Sequence, residues 1–366
     1  MAKKKKTSRT RSLGKKIIIA LNIFVSILII YPIIFTPFHF IWVNGFLGLI
    51  MPYLLVVELL FLFFWLIAKP ILSLISLLSL IVGWNFVFTI IGFHPGLAFP
   101  KNKKDNTLRI ISWNVRGFNG IQNNTSLKLR TQEIAYSMLK WNPDIICMQE
   151  YNTNERKGDV ANHAQYFKEK YPYSFFSKDY QTQEFSYSSG CIIYSKYKII
   201  RAERFGYNNK ESLIAATILK GDDTIRVFTT HLASFKFKQH DFAAIDDPTK
   251  NKWGVIRKMK HAFEERASQA ELVYQKMNES PYPSIITGDF NDVPSSYTYR
   301  KITKGGWQDA FLQKGFGIGA TYLGLNPTLR IDYILANPKW KIRAWEQTDE
   351  NLSDHQMIMA DLLLIK

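Results

Sequence analysis

The chain has 366 residues, 47% of them hydrophobic, and a net charge of +17. That length exceeds what one ordinary domain needs. Its two cysteines, Cys147 and Cys191, both lie inside apolar runs; they read as buried thiols and argue against a disulfide framework or a thiolate zinc site. The charge is unevenly spread: residues 1–100 carry nine Lys/Arg and the single acid Glu58, leaving 38 basic and 29 acidic residues beyond them. A mildly basic surface of that kind suits a polyanion or an anionic lipid face.

Lys3 to Lys6, Arg9, Arg11, Lys15 and Lys16 open the protein, and an uncharged stretch from Ile17 to about Phe35 follows at once. This predicts a cytoplasmic basic anchor (residues 1–16) and a first membrane-spanning helix ending at Tyr31-Pro32 and Thr36-Pro37. The rival reading, a cleaved signal peptide, calls for a shorter apolar core ending in small residues. A second span is expected at Leu49–Ala68, after a short interfacial piece carrying His39, Trp42 and Asn44. Glu58 falls inside that span, where a charge is costly and calls for a polar partner or a bound proton. Lys69-Pro70 breaks the run, and Ile71 to about Phe93 is expected to be a third span. Three spans from an inside N-terminus would place the remainder outside, facing a periplasm as in a bacterial inner membrane; two would leave it in the cytoplasm. Lys101, Lys103 and Lys104 count against the outward reading.

Residues 94–106 read as a linker and 107–366 as an α/β domain. Strands are expected at Leu108–Val115, Asp144–Gln149, Ser189–Tyr194, Leu213–Leu219, Thr224–Thr230, Ser284–Ile286, Arg330–Leu335 and Met357–Leu364. Helices are expected at Ser126–Trp141, Asp159–Lys170 and Trp253–Met277, with a polar loop carrying Asp241, Asp246, Asp247 and Pro248. Strands that outnumber helices, with helices between some of them, suit a two-sheet sandwich with outer helices.

The polar residues that leave these apolar runs carry the chemistry. Thr287-Gly288-Asp289-Phe290-Asn291 follows a buried strand, and Asp289 and Asn291, two apart, can share a face. Alone this is ordinary turn chemistry. Asn114, Glu150, His231, Asp332 and the pair Asp354 and His355 also sit at strand ends or adjoining loops. Each has a bland reading: a solvated strand end for Glu150, a satisfied core histidine for His231, a structural acceptor for Asp332. Together they form a set of hard oxygen donors and two imidazoles, without a thiol ligand. Such a set suits Mg²⁺ or Mn²⁺ rather than zinc.

In order, Ser112-Trp113-Asn114, Gln149-Glu150, Ser189-Gly190, Thr230-His231-Leu232, Gly288-Asp289-Phe290-Asn291, Arg330-Ile331-Asp332-Tyr333 and Ser353-Asp354-His355 resemble the endonuclease/exonuclease/phosphatase superfamily over about residues 107–366. The resemblance implies a four-layer α/β/β/α sandwich of the DNase I type with the site at one end. It implies Glu150 as the main metal ligand, with Asp354 and Asn114 near the metal or its waters. Asp289 would orient or deprotonate the attacking water, Asn291 would hold a phosphoryl oxygen, and His355, held by Asp332, would contact the phosphate. His231 would be a second phosphate contact or proton donor, as in the branches with Thr-His-Leu at this point. Arg116, two after Asn114, could add a phosphate contact or be a surface residue. The expected activity is hydrolysis of a phosphodiester beside a lipid bilayer, in nucleic acid first and in a phospholipid or sphingomyelin as the alternative; a tethered binding module without catalysis is the contrasting class.

Overall fold

The computed structural model describes residues 2–36, 40–95, 98–104, 106–119, 127–154, 161–182, 187–208, 210–238, 241, 252–324 and 328–365, with side chains from Leu13 onward except Asn85. The side chains of Lys3 to Lys6, Arg9 and Arg11, and residues Pro37, His39, Asp246, Asp247 and Pro248, lie outside it. The chain divides into two compact units, one of Met1–Ile90 with Ser295–Tyr297 and one of Ile91–Pro294 with Thr298–Lys366.

The first unit is helical, with α1 (Ala2–Phe35), α2 (Trp42–Ala68), a 3-10 turn at Pro70–Leu72, α3 (Ser73–Val82) and α4 (Trp84–Ile90). Leu13–Phe35 and Trp42–Ala68 are long and apolar enough to cross a membrane. The expected third span is not one long helix. Pro70, which fits only the first turn of a helix, opens it as a 3-10 turn, and it divides at Gly83 into pieces of ten and seven residues. Phe93 belongs to a strand instead. Pro32 does not end α1, which runs through it to Phe35. Trp42 and Asn44 lie in the first turn of α2 rather than in an interfacial segment.

The first unit buries a polar cluster beside apolar side chains such as Ile29 and Met51, and its outer surface is apolar. Glu58 Oε1 accepts hydrogen bonds from Ser26 Oγ and Ser79 Oγ, both at 2.7 Å, and from Asn22 Nδ2 at 3.3 Å. Asn22 Nδ2 also reaches Ser76 Oγ at 2.9 Å, and Trp65 Nε1 donates to Asn22 Oδ1 at 3.0 Å. These six side chains come from α1, α2 and α3, and all are buried, whereas Phe24, Ile27, Leu60, Phe63, Leu74, Leu78 and Ile81 are exposed. An aqueous core has the opposite polarity. Glu58 thus has the polar partners that its place in an apolar helix demands.

The second unit holds two large mixed sheets. One joins β2 (Thr107–Asn114), β3 (Ile145–Asn154), β4 (Tyr173–Phe176), β5 (Tyr180–Gln181), β6 (Tyr187–Ser195), β14 (Trp340–Thr348) and β15 (Met357–Leu364), in the order β14-β15-β2-β3-β6-β4, with β5 on β6. The other joins β7 (Lys198–Gly206), β8 (Ser212–Lys220), β9 (Asp223–His231), β10 (Ser284–Asp289), β11 (Gln308–Asp309) and β13 (Asp332–Ala336), in the order β11-β13-β10-β9-β8-β7. A two-stranded piece pairs β1 (Gly92–Phe93) with β12 (Phe316–Gly317).

Period-two alternation sorts the apolar side chains into layers. Ile110, Ile145 and Cys147 of one sheet meet Ile214, Val227 and Ile285 of the other in a central core. Their neighbours Ile111, Ile146 and Met148 turn outward onto Ile134 and Met138 of α5 (Leu127–Leu139). Ala215, Phe228 and Ile286 turn the other way onto Ala270, Val273 and Met277 of α6 (Trp253–Asn278). The order is α/β/β/α. Both cysteines are free and in the central core, where burial pushes the Cys147 thiol up to about 12. Within the expected helix Asp159–Lys170, the described part holds only a 3-10 turn at His163–Tyr166.

Candidate active site

Strand direction gathers the polar residues on one edge. β2 and β3 are parallel, as are β9 and β10, so Asn114, His231 and Asp289 leave at the same end. β13 and β15 run antiparallel to their neighbours, so Asp332 and His355 enter there. In register, Asp289 lies opposite His231 on one side and Asp332 on the other. Gly288 permits this packing: its φ is 144°, and a Cβ there would meet the Thr230 carbonyl oxygen at 2.1 Å. Its role is close approach between strands, not the turn that its place in the sequence suggests.

Glu150 is not at a strand end, as the sequence had suggested. β3 continues to Asn154 through a register shift between Met148 and Tyr151, and Glu150 holds a φ of 50°. Bulges of this kind re-aim side chains. Arg116 and Asn291 also have left-handed backbones, at 46° and 51°. Non-glycine residues held there concentrate at functional sites. Beneath the bulge, Gln149 Nε2 donates to Thr229 Oγ1 of the facing sheet at 2.9 Å, tying the two layers.

Asp289 is the centre, with 1% of its surface exposed. Its Oδ2 accepts from Asn114 Nδ2 at 3.0 Å and lies 3.5 Å from His231 Nε2 and 3.7 Å from His355 Nε2. Its Oδ1 accepts from the Asn291 backbone N–H at 2.8 Å. Burial pushes its carboxyl pKa up, against the pull of the two imidazoles. Asn114 also donates to Glu150 Oε1 at 3.1 Å, and its Oδ1 accepts from the Arg116 N–H. Its amide therefore bridges the two acids as a donor. Asn291 Nδ2 spends one hydrogen on the Leu232 carbonyl at 2.9 Å and lies 3.4 Å from Asp289 Oδ2.

The two imidazoles differ. His355 Nδ1 is 2.9 Å from Asp332 Oδ2. Burial opposes its charge, but Asp332 and Asp289 outweigh that and raise its pKa to about 10. His231 is likewise raised, against burial, by Glu211, Asp289 and Glu150. Arg330 pairs with Asp309, so Asp332 is left to His355. The loop before β15 is fixed by Trp113 Nε1 on the His355 carbonyl at 2.8 Å and by Ser353 Oγ on the Asn114 carbonyl at 2.7 Å.

Two places could hold a cation. Asp289, Asp332 and His355 have ligand atoms within 4.8 Å of one another, but there the Asp332–His355 hydrogen bond already uses a ring nitrogen and a carboxylate oxygen. Glu150 and Asp354 are the more accessible acids. Their side chains are 43% and 27% exposed, and among the described residues no Lys or Arg pairs with Glu150. Two accessible carboxylates suit a hard divalent ion. Asp354 Oδ2 lies 3.5 Å from Arg116 Nε. Glu211, 4.0 Å from His231 Nδ1, was missed in the sequence, where it precedes a strand in a polar turn without a motif. A cleft of about 460 Å³ opens beside the site, lined by Arg116, Asn152, Tyr180, Tyr187, Glu211 and His231 among others.

The second unit is thus an α/β/β/α sandwich with an acid–imidazole–amide cluster at one end of its strands. The chain belongs to the endonuclease/exonuclease/phosphatase family, whose model matches residues 111–355, and it is a phosphoesterase of that family. A second model, a domain of unknown function (DUF8431), matches residues 15–90. The curated proteins give no match to the sequence. Among solved structures, an endonuclease/exonuclease/phosphatase from Beutenbergia cavernae DSM 12333 is similar at 18% identity and TM-score 0.51, over 71% of this chain and 72% of that one. D. rerio TDP2 complexed with single strand DNA product is similar at 19% and 0.50, over 70% and 99%. The human Nocturnin catalytic domain with bound sulfate anion is similar at 16% and 0.51, over 71% and 94%. These likenesses confirm the DNase I-like fold.

Proposed function

We propose that the chain is a membrane-anchored, divalent-metal-dependent phosphodiesterase that acts on nucleic acid. The observation that carries this reading is the meeting of Asp289, His231 and His355 around one carboxylate oxygen, with two accessible acids beside it. Glu150 and Asp354 would hold Mg²⁺ or Mn²⁺, with Asn114 fixing Glu150 from behind, and the ion would neutralise charge on the phosphate's non-bridging oxygens. Asp289 orients the attacking water and accepts its proton. His355, kept charged by Asp332, donates to a phosphoryl oxygen, and Arg116 supports the same group, as does Asn291 when substrate draws its amide from the long 3.4 Å contact with Asp289 Oδ2. His231 hands a proton to the leaving oxygen.

Nucleic acid is favoured over a lipid headgroup by the open, polar cleft with Tyr180 and Tyr187, whose rings suit stacked bases; D. rerio TDP2, of the same fold, is described with a DNA product. The lipid alternative draws on the apolar helices that precede the domain. Their inside-out polarity supports membrane insertion, and a traverse by α3 and α4 together would face the domain outward. The test is hydrolysis of oligonucleotides, sphingomyelin and phosphatidylcholine by the full chain in detergent with Mg²⁺ or Mn²⁺. EDTA should abolish turnover, as should Asp289→Ala, Glu150→Ala and His355→Ala. Folded variants with wild-type rates would remove the site assignment, and turnover of lipid alone would transfer the reading to the headgroup hydrolase.

A further inference from the structure

We propose that the second unit carries a separate site for an acidic phospholipid, built on the edge strand β14. It rests on the membrane-inserted reading of the first unit and not on the catalytic one. A cavity of about 650 Å³ lies there. Lys104, Lys314, Lys341 and Arg343 stand around it, and all four are exposed. Among the described residues none of them is in an ion pair. The acid in the wall, Asp361, is already held by Arg109 at 2.7 and 2.8 Å. Four cations therefore share one concavity, and among the described residues that line it there is no free anion to answer them.

The rest of the wall is apolar. Phe93, half-exposed, and Trp345 and Leu363 line the same cavity. Leu363 faces Lys341 across the β14–β15 pair. Basic residues on an edge strand ordinarily guard it against pairing with another sheet, but a guard needs no cavity with aromatic walls behind it. A duplex backbone would use the cations and leave Phe93 and Trp345 idle, and the single-stranded oligonucleotide arm below tests base stacking on them. An acidic phospholipid uses both: phosphate on the cations and the first acyl methylenes on the apolar wall. Phe93 follows Ile90, the last residue of the apolar helices, by only three positions in the chain.

The experiment takes the full chain in nanodiscs of unlabelled phosphatidylcholine doped with a lipid brominated near the glycerol end. Bromine quenches tryptophan on contact, and Trp345 is the reporter. Brominated phosphatidylglycerol should quench more than brominated phosphatidylcholine at the same mole fraction, and Trp345→Phe should remove the excess. Lys341→Gln with Arg343→Gln should weaken the phosphatidylglycerol dependence roughly 30-fold, at about fivefold per cation near an anionic surface. The same double variant should hydrolyse a soluble diester at the wild-type rate, which keeps this site distinct from the catalytic one. Equal quenching by the two lipids would overturn the proposal, as would an excess that survives the double substitution in a protein with unchanged circular dichroism. Loss of the excess on adding inorganic phosphate alone would reduce the site to a simple anion site, and loss on adding a single-stranded oligonucleotide would reassign it to nucleic acid; either overturns it.

Discussion

Asn114 separates two ways of reading the centre. Its Nδ2 donates to Asp289 Oδ2 at 3.0 Å and to Glu150 Oε1 at 3.1 Å, so its work is to hold two acids apart while satisfying both. Asn114→Ala removes both donors. A hydrogen bond to a charged group contributes about 1.5–3 kcal/mol, so loss of the Asp289 contact alone costs roughly 10- to 150-fold in rate at about 1.36 kcal/mol per decade. Asn114→Asp keeps the shape and reverses the electrostatics. Each new carboxylate pair at about 3 Å repels by roughly 5 kcal/mol at an effective dielectric of about 20. The site relieves that by binding a proton, and Asp289, whose pKa burial already raises, is the acid that takes it. The order of activity should be wild type, then Asn114→Ala, then Asn114→Asp. Steady-state hydrolysis of a nitrophenyl phosphodiester at saturating Mg²⁺ gives the order, with a thermal melt to show that each variant is folded. If Asn114→Asp outperforms Asn114→Ala, Asn114 serves through its oxygen as a metal ligand, and the donor argument fails.

Three further outcomes follow from the geometry. Gly288→Ala places a Cβ 2.1 Å from the Thr230 carbonyl oxygen; overpacking of this kind costs about 1–3 kcal/mol or more, and a calorimetric scan should show Tm lowered by several degrees, with an unchanged Tm counting against the packing described. In the metal-free protein, His355 has its folded pKa raised to about 10, so its contribution to stability is complete below the ordinary histidine pKa and is lost as pH rises through about 10; denaturant midpoints across that range, compared with His355→Gln, should show the loss in the wild type alone. Cys147, with its thiol pushed up to about 12, and Cys191 should resist iodoacetamide in the native protein and label fully in denaturant; rapid native labelling would place them outside the core.

Most of the second unit was legible because its signals are local. Ile110-Ile111, Ile145-Ile146 and Ile285-Ile286 are strands buried on both faces, and such strands read as continuous apolar runs. The polar residues that end them were visible for the same reason. The bulge at Glu150 was not, because it is set by pairing with β6 rather than by composition. β7 and β14 escaped notice because their outer faces are solvated and their pattern is mixed, as in Lys198–Gly206 and Trp340–Thr348. Glu211 reaches the site through a neighbouring strand, a relation with no trace in spacing. In the first unit, hydropathy found the two long helices and missed the break at Gly83, since an apolar window does not register whether backbone direction is kept.

The arrangement around Glu58 has a consequence for how the N-terminal region can be altered. One acid on α2 draws its hydrogen bonds from α1 and α3 together, so none of the three helices is interchangeable with a generic greasy segment. Substituting any one of them strands polar groups on the other two in surroundings that offer no replacement, and the cost of that exceeds what the added apolar surface returns. The region is therefore best transplanted as a single module, and a chimera that borrows only its first helix would be expected to fail in assembly before its enzyme is ever tested.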